Sequence, residues 1–79
     1  MLVLLRNRDV PGVIGRVGSL LGDAGINIAE YHQARLSAGG EALAAISVDS
    51  PLKPEALGAL RSLPEVLDAR QVQFDPVGL

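Results

Sequence analysis

The spacing of apolar residues changes several times along the chain, and each change marks a new element. Leu2 to Arg6 is a short apolar run, the pattern of a strand buried on both faces. Asn7, Arg8, Asp9 and Val10 form a break that ends at Pro11-Gly12. From Val13 the spacing is helical, with Val13, Val17, Leu20, Leu21 and Ala24 on one face. Pro11 suits the first turn of that helix, where a missing N–H is harmless. Gly25 suits its end, as a left-handed residue.

Ile26 to Leu36 reads as a longer strand, Ile26 and Ile28 facing one way and Asn27 the other. Ser37-Ala38-Gly39-Gly40 is a turn signal, and Glu41 to Asp49 returns as a strand with Ala42, Ala44, Ile46 and Val48 on one face. Ser50 to Pro54 breaks the pattern. Pro54 begins a second helix through Leu57, Leu60 and Arg61, which proline ends near Leu63-Pro64. Val66 to Phe74 is a last strand, and Arg70, Gln71 and Gln73 place it at a sheet edge.

Strand, helix, strand, strand, helix, strand is the order of an α+β, ferredoxin-like βαββαβ plait. It implies a four-stranded antiparallel sheet in the order 4-1-3-2, with two helices on one face. The second strand is then an edge that invites pairing with another copy. Gly15, Gly18 and Gly22 interrupt the first helix, each at about 1 kcal/mol against alanine. They predict close packing of the helix on the sheet or on the second helix. The alternative is approach of a neighbouring subunit or ligand at Gly15.

Seventy-nine residues make one domain, taken as residues 1–74 with a tail at 75–79. A domain this short buries only about 60% of the surface of its unfolded chain. With no cysteine and one histidine, disulfides, thiolate metal sites and histidine clusters are excluded, so a partner subunit is the remaining support. The net charge of −2 is dispersed, and there is one Phe, one Tyr and no Trp, which argues against nucleic acid. No apolar run reaches the roughly 18 residues of a membrane span. The start of the chain lacks the pattern of a signal peptide, and the expected location is the cytoplasm.

Catalysis finds no support. No nucleophile–base arrangement, metal cluster, phosphate-binding loop or cofactor motif is present. His32 lies mid-strand with no acid at a useful spacing and reads as a surface or packing residue. The informative stretch is Asn7 to Val13, which joins a central strand to a helix N-terminus. There the free N–H groups and the helix dipole favour an anion such as an α-carboxylate, and Gly12 allows close approach. Asp9 offers a partner for an ammonium group, although its commoner role is to cap the helix or complement its dipole. Asn7 and Asn27 read equally as turn residues. Yet asparagine is disfavoured in strands, and the Asn27 amide can hold both ends of a zwitterion.

Asp9-x-Pro11-Gly12-Val13, an apolar helix, then Gly25-Ile26-Asn27-Ile28 together resemble the signature of ACT domains. The run Asp9 to Leu21 and the Gly39-Gly40-Glu41-Ala42-Leu43 hairpin are similar to the C-terminal regulatory domain of D-3-phosphoglycerate dehydrogenase. The likeness covers residues 1–74. It implies a homodimer through the second strand, with L-serine at the interface as feedback inhibitor. The site it implies joins Asn7, Asp9, Val10, Pro11, Gly12 and Val13 of one copy to Asn27 and Ile28 of the other. In relatives the Asn7 position often carries histidine or tyrosine, a departure that bears on serine selectivity.

The resemblance fits an excised regulatory domain or a free-standing ACT protein. Ile, Val and Phe are alternative ligands. Three other functions stand beside an amino-acid sensor. A structural dimerisation module with a vacant pocket draws on Asn7. An acylphosphatase-like hydrolase would need an arginine-bearing phosphate loop where this chain has Arg8 beside Asp9. A nucleic-acid-binding plait would need exposed aromatics on the sheet.

Overall fold

The computed structural model describes residues 1–37 and 40–73. The elements follow the predicted order: β1 (Leu2–Arg8), α1 (Val13–Asp23), β2 (Ile28–Arg35), β3 (Glu41–Val48), α2 (Pro54–Ser62) and β4 (Val66–Val72). All strand pairs are antiparallel, in the order β2-β3-β1-β4, which is the expected 4-1-3-2 read from the other edge. Val13, Val17 and Leu21 of α1 and Leu60 of α2 share one core with Val3, Leu5, Ala44, Ile46, Val48 and Ala69 of the sheet. The βαββαβ plait is therefore the fold of this chain.

β1 departs from its predicted form. It extends to Arg8 and is buried on one face only: Val3, Leu5 and Asn7 are covered, while Leu4 is 40% exposed. Pairing explains the extra length. β1 is held by β3 as far as Arg8–Glu41 and by β4 as far as Asn7–Val66, so backbone hydrogen bonds carry the strand past its apolar run.

β2 starts at Ile28, not at Ile26, because the end of α1 claims Ile26. Gly25, at φ +78°, donates to the Gly22 carbonyl at 3.0 Å, and Ile26 donates to the Leu21 carbonyl at 2.9 Å. These two bonds define a Schellman stop, with buried Ile26 and Leu21 as its apolar contact. Ile26 thus spends its N–H on the helix rather than on the sheet. β2 also ends one residue early, at Arg35, and β3 stops at Val48 while the Asp49 amide bonds Asn27 O at 3.1 Å. The hairpin is closed by Leu36 N to Glu41 O at 2.8 Å and Gly40 N to Ser37 O at 3.2 Å. Ala38 and Gly39 of the predicted turn, Phe74 of the predicted last strand and the 75–79 tail lie outside the described residues.

The close packing predicted for Gly15, Gly18 and Gly22 is absent. A Cβ added at any of them meets no atom within 4 Å. Val13, Val17 and Leu21 make the helix–sheet contact, and at roughly 100° per residue the glycines turn away from it. Leu20 packs at the margin of the core, and Ala24 is exposed.

α2 begins at Pro54 as predicted, with Glu55 in its first turn and Arg61 in its last, a charge order that complements the helix dipole. Arg61 Nε donates to the Ala69 carbonyl at 3.0 Å, tying the helix to edge strand β4. Gln71 accepts from the Leu52 amide at 2.5 Å and donates to its carbonyl at 3.3 Å, which anchors the loop that leads into α2.

Tyr31, on the helix-facing side of edge strand β2, has a buried hydroxyl without a partner. Burial also pushes its phenol pKa up. A buried hydroxyl left unsatisfied costs about 1–3 kcal/mol. Tyr31→Phe is therefore expected to raise the melting temperature of the dilute monomer by several degrees, measured by circular dichroism. A fall would mean that the hydroxyl has found a partner in solution.

Candidate functional site

Asn7 is the last inward residue of β1 and is 1% exposed. Sequence reasoning placed it in a polar turn, but pairing with Ala42 and Val66 holds it within the strand. Its Nδ2 donates to the Arg8 carbonyl at 2.8 Å, while Oδ1 is buried with no partner. A buried acceptor left in this state is unfavourable unless something donates to it. On the far side of Ala42 the register places Arg35 of β2, so Asn7, Ala42 and Arg35 form one row across three strands.

Asp9 does not cap α1. The N-cap is Gly12, no side chain caps the helix and no acid lies in its first turn. The reason is a competing partner: the Asp9 carboxylate forms an ion pair with the Arg35 guanidinium, Nε lying 2.7 Å from Oδ2, and the Asp9 amide donates to the Gly40 carbonyl at 2.8 Å. These contacts draw the β1–α1 loop toward the edge strand. Val10 is exposed and its amide donates to Arg8 O at 3.0 Å.

Pro11 is not in the first helical turn either. Gly12 adopts φ +87°, which ends any helical continuity toward Pro11, and the helix begins at buried Val13. Arg16 folds back over Gly12, its Nη1 lying 2.9 Å from where a Cβ would stand, and pairs with the carboxylate of Glu65. An L-residue in this left-handed conformation costs about 1–2 kcal/mol. Gly12→Ala is accordingly expected to lower stability by about 1 kcal/mol or more, read from urea unfolding midpoints at an unchanged slope.

Asn27 lies just before β2, beside half-buried Ile28. Its backbone amide donates to Asp49 Oδ1 at 3.1 Å and its Nδ2 to Oδ2 at 3.0 Å. Asn27 therefore straps the start of β2 to the end of β3. Ile28 pairs with Val48 and Asn7 with Ala42, so the two asparagines mark opposite ends of β3. Six residues of strand separate them, roughly 20 Å. One chain brings Asn7 and Asp9 together; it does not bring Asn27 or Ile28 to them.

Arg35 and Asp49, the partners of Asp9 and Asn27, were missed at the level of sequence. Arg35 had a legible signal: it shares the face of Tyr31 and Gln33 by alternation, and antiparallel return of the hairpin sets it opposite Ala42. Asp49 had none, because its role depends on where the Schellman stop leaves Asn27.

A broad concavity lies elsewhere, on the helix-free face of the sheet around Leu4, Ala34, Leu43 and Ala45. Its floor is apolar, Arg6, Asp68 and Arg70 also line it, and it holds none of the predicted ligand residues. His32 sits at its rim, exposed as its sequence reading has it, but an acid does lie at a useful spacing: strand alternation puts Glu30 on the same face, Oε2 2.7 Å from Nε2. Among the described residues no group of three or more His, Cys, Asp or Glu is placed to hold a metal ion, and no helix is long and apolar enough to cross a membrane.

The two hydrogen bonds from Asn27 hold the Asp49 carboxyl below its ordinary pKa of 3.8. A depressed carboxyl contributes stability that is present above the unfolded pKa and is lost as pH falls through the folded one. Asn27→Ala removes the side-chain bond and keeps the backbone one, so it is expected to raise the Asp49 pKa part of the way toward its ordinary value, measured by side-chain NMR titration, and to lessen the acid limb of stability below about pH 4.

Comparison with known proteins covers nearly the whole chain. The family model described as the ACT domain matches residues 1–65. The D-3-phosphoglycerate dehydrogenase of Bacillus subtilis (strain 168) is 38% identical over 73 residues, 92% of this chain and 14% of that protein. The enzyme of the same name from Synechocystis sp. is 39% identical over 68 residues, 86% of this chain and 12% of that protein. That from Methanocaldococcus jannaschii is 35% identical over 74 residues, 94% of this chain and 14% of that protein. The chain thus spans only 12–14% of the length of these relatives. Among solved structures, an unknown protein from Galdieria sulphuraria superposes with TM-score 0.68 at 20% identity, over 95% of this chain and 46% of that one. A protein described as a novel type of quorum quenching acylase gives TM-score 0.58 at 22% identity, over 86% of this chain and 27% of that one. These two likenesses show the fold.

Proposed function

The chain belongs to the ACT domain family, and on that premise we propose that it is an amino-acid-binding regulatory module whose ligand sits between two copies. The reading takes L-serine as ligand and feedback control of a D-3-phosphoglycerate dehydrogenase as its role. The curated relatives, all bearing that enzyme's name, support it.

One observation carries the two-copy arrangement. β2 is an edge strand that begins at the Asn27 end of the sheet and ends at Arg35, beside Asp9. Antiparallel pairing of β2 with the β2 of a second copy sets the start of each strand against the end of the other. Asn27 and Ile28 of the second copy then come to lie across the edge from Asp9 and the Asn7 to Val13 loop. The separation of roughly 20 Å within one chain becomes proximity between two. In such a pocket the N–H groups at the start of α1, the Asp9 carboxylate, the vacant Asn7 Oδ1 and the second Asn27 complement the two charges of a small amino acid. In a longer protein, ligand would tighten the pair and bias the attached domains through its differential affinity for two states.

A second reading, a dimerisation module with a vacant pocket, also has an observation in its favour. Asp9 and Asn27 already have partners within the chain, Arg35 and Asp49.

Thermal unfolding with each of the twenty amino acids, run alongside light scattering, separates the two. The sensor predicts a dimer stabilised by L-serine, by about 2.7 kcal/mol at a hundredfold excess over Kd, and an Asn27→Ala variant that folds but loses this gain. A stable dimer that responds to no amino acid would establish the vacant module instead.

A further inference from the structure

Arg35 is absent from the predicted ligand residues, yet it shares their end of the sheet. It flanks Ala42 opposite Asn7, and its Nε lies 2.7 Å from Asp9 Oδ2. The two partners differ in surroundings: the Asp9 side chain is 14% exposed and that of Arg35 75%. The Arg35 guanidinium is the counter-ion of this largely covered carboxylate. The terminal nitrogens of the guanidinium carry four further N–H donors in a planar fork. Across Ala42 waits Asn7 Oδ1, a buried acceptor without a donor.

We propose that Arg35 reads the α-carboxylate at the amino-acid site: its terminal N–H fork binds that carboxylate while Asp9 and Asn7 Oδ1 take the neighbouring ammonium group. The inference rests on the amino-acid reading above and adds which residue recognises which charge. The Asp9–Arg35 pair presents a negative and a positive group side by side, the complement of a zwitterion. An α-amide or a deaminated acid satisfies only half of it, so the site selects free amino acids by their backbone charges.

The competing role for Arg35 is a tether between β2 and the β1–α1 loop. An ion pair with one partner this exposed contributes little to stability, and a tether would shift the melting temperature without changing what binds.

The test is isothermal titration of the unaltered chain, Arg35→Gln and Arg35→Lys with L-serine, L-valine and L-phenylalanine, each beside its α-amide. The unaltered chain is expected to prefer the free acid. Arg35→Gln should weaken the acid by about tenfold to a hundredfold and leave the amide unchanged, which erases the preference. Arg35→Lys, which keeps the charge but not the fork, should retain part of it. An Arg35→Gln variant with the original acid-to-amide ratio, whatever its melting temperature, overturns the proposal and leaves the amino-acid reading standing. If the unaltered chain binds none of the twenty amino acids, that reading fails and the role of Arg35 falls with it.

Discussion

β3 is hydrogen-bonded along both edges, to β1 on one side and β2 on the other, and Ala42, Ala44, Ile46 and Val48 on its inner face are buried. Each of the other principal features is set by that double pairing. It carries β1 past its apolar run and so buries Asn7. It places Arg35 in the same row as Asn7, with only the methyl group of Ala42 between them. It also holds the start of β2 at the opposite end of the sheet. Ile46 and Val48 belong to the aliphatic core, whereas the Ala42 end of the strand is flanked by Asn7 and Arg35. A bulky residue in place of Ala42 would compete with both Asn7 and Arg35 for the same space.

Two polar contacts close the two ends of the sheet. Asp9–Arg35 and Asn27–Asp49 each join a loop to a strand end, and each has at least one partner in solvent. The core, by contrast, is aliphatic and continuous from Val3 to Ala69. The buried face thus carries the stability of the fold, while these polar contacts lie at the two ends of an edge strand.

The glycines of α1 follow the same division. Gly12 and Gly25 occupy left-handed positions at the two ends of the helix and set its limits. Gly15, Gly18 and Gly22 touch nothing on the inside. They keep the outer surface of α1 low beside the edge strand, and helix propensity is spent there without any gain in the core.

The order of elements, the helical face Val13–Val17–Leu21, the Gly25 stop, the Pro54 start and the β3 face were all legible in the sequence. Each follows from local periodicity, from proline's missing N–H or from glycine's tolerance of positive φ. Asp9, Gly12 and Asn27 could likewise be singled out by residue type, together with their likeness to a family pattern. What those residues touch was not legible. Asp9 is read as a helix cap because a nearby helix start is the only partner that sequence proximity offers; Arg35, 26 positions later, competes only once the hairpin returns beside β1. Asn7 reads as a turn residue until two neighbouring strands extend β1 around it, and the strap from Asn27 to Asp49 exists because the Schellman stop delays β2. Local chemistry determined the elements and nominated the polar residues. Only the tertiary structure, through strand register, decided their partners, because register sums the pairing of every strand and no short stretch of sequence contains it.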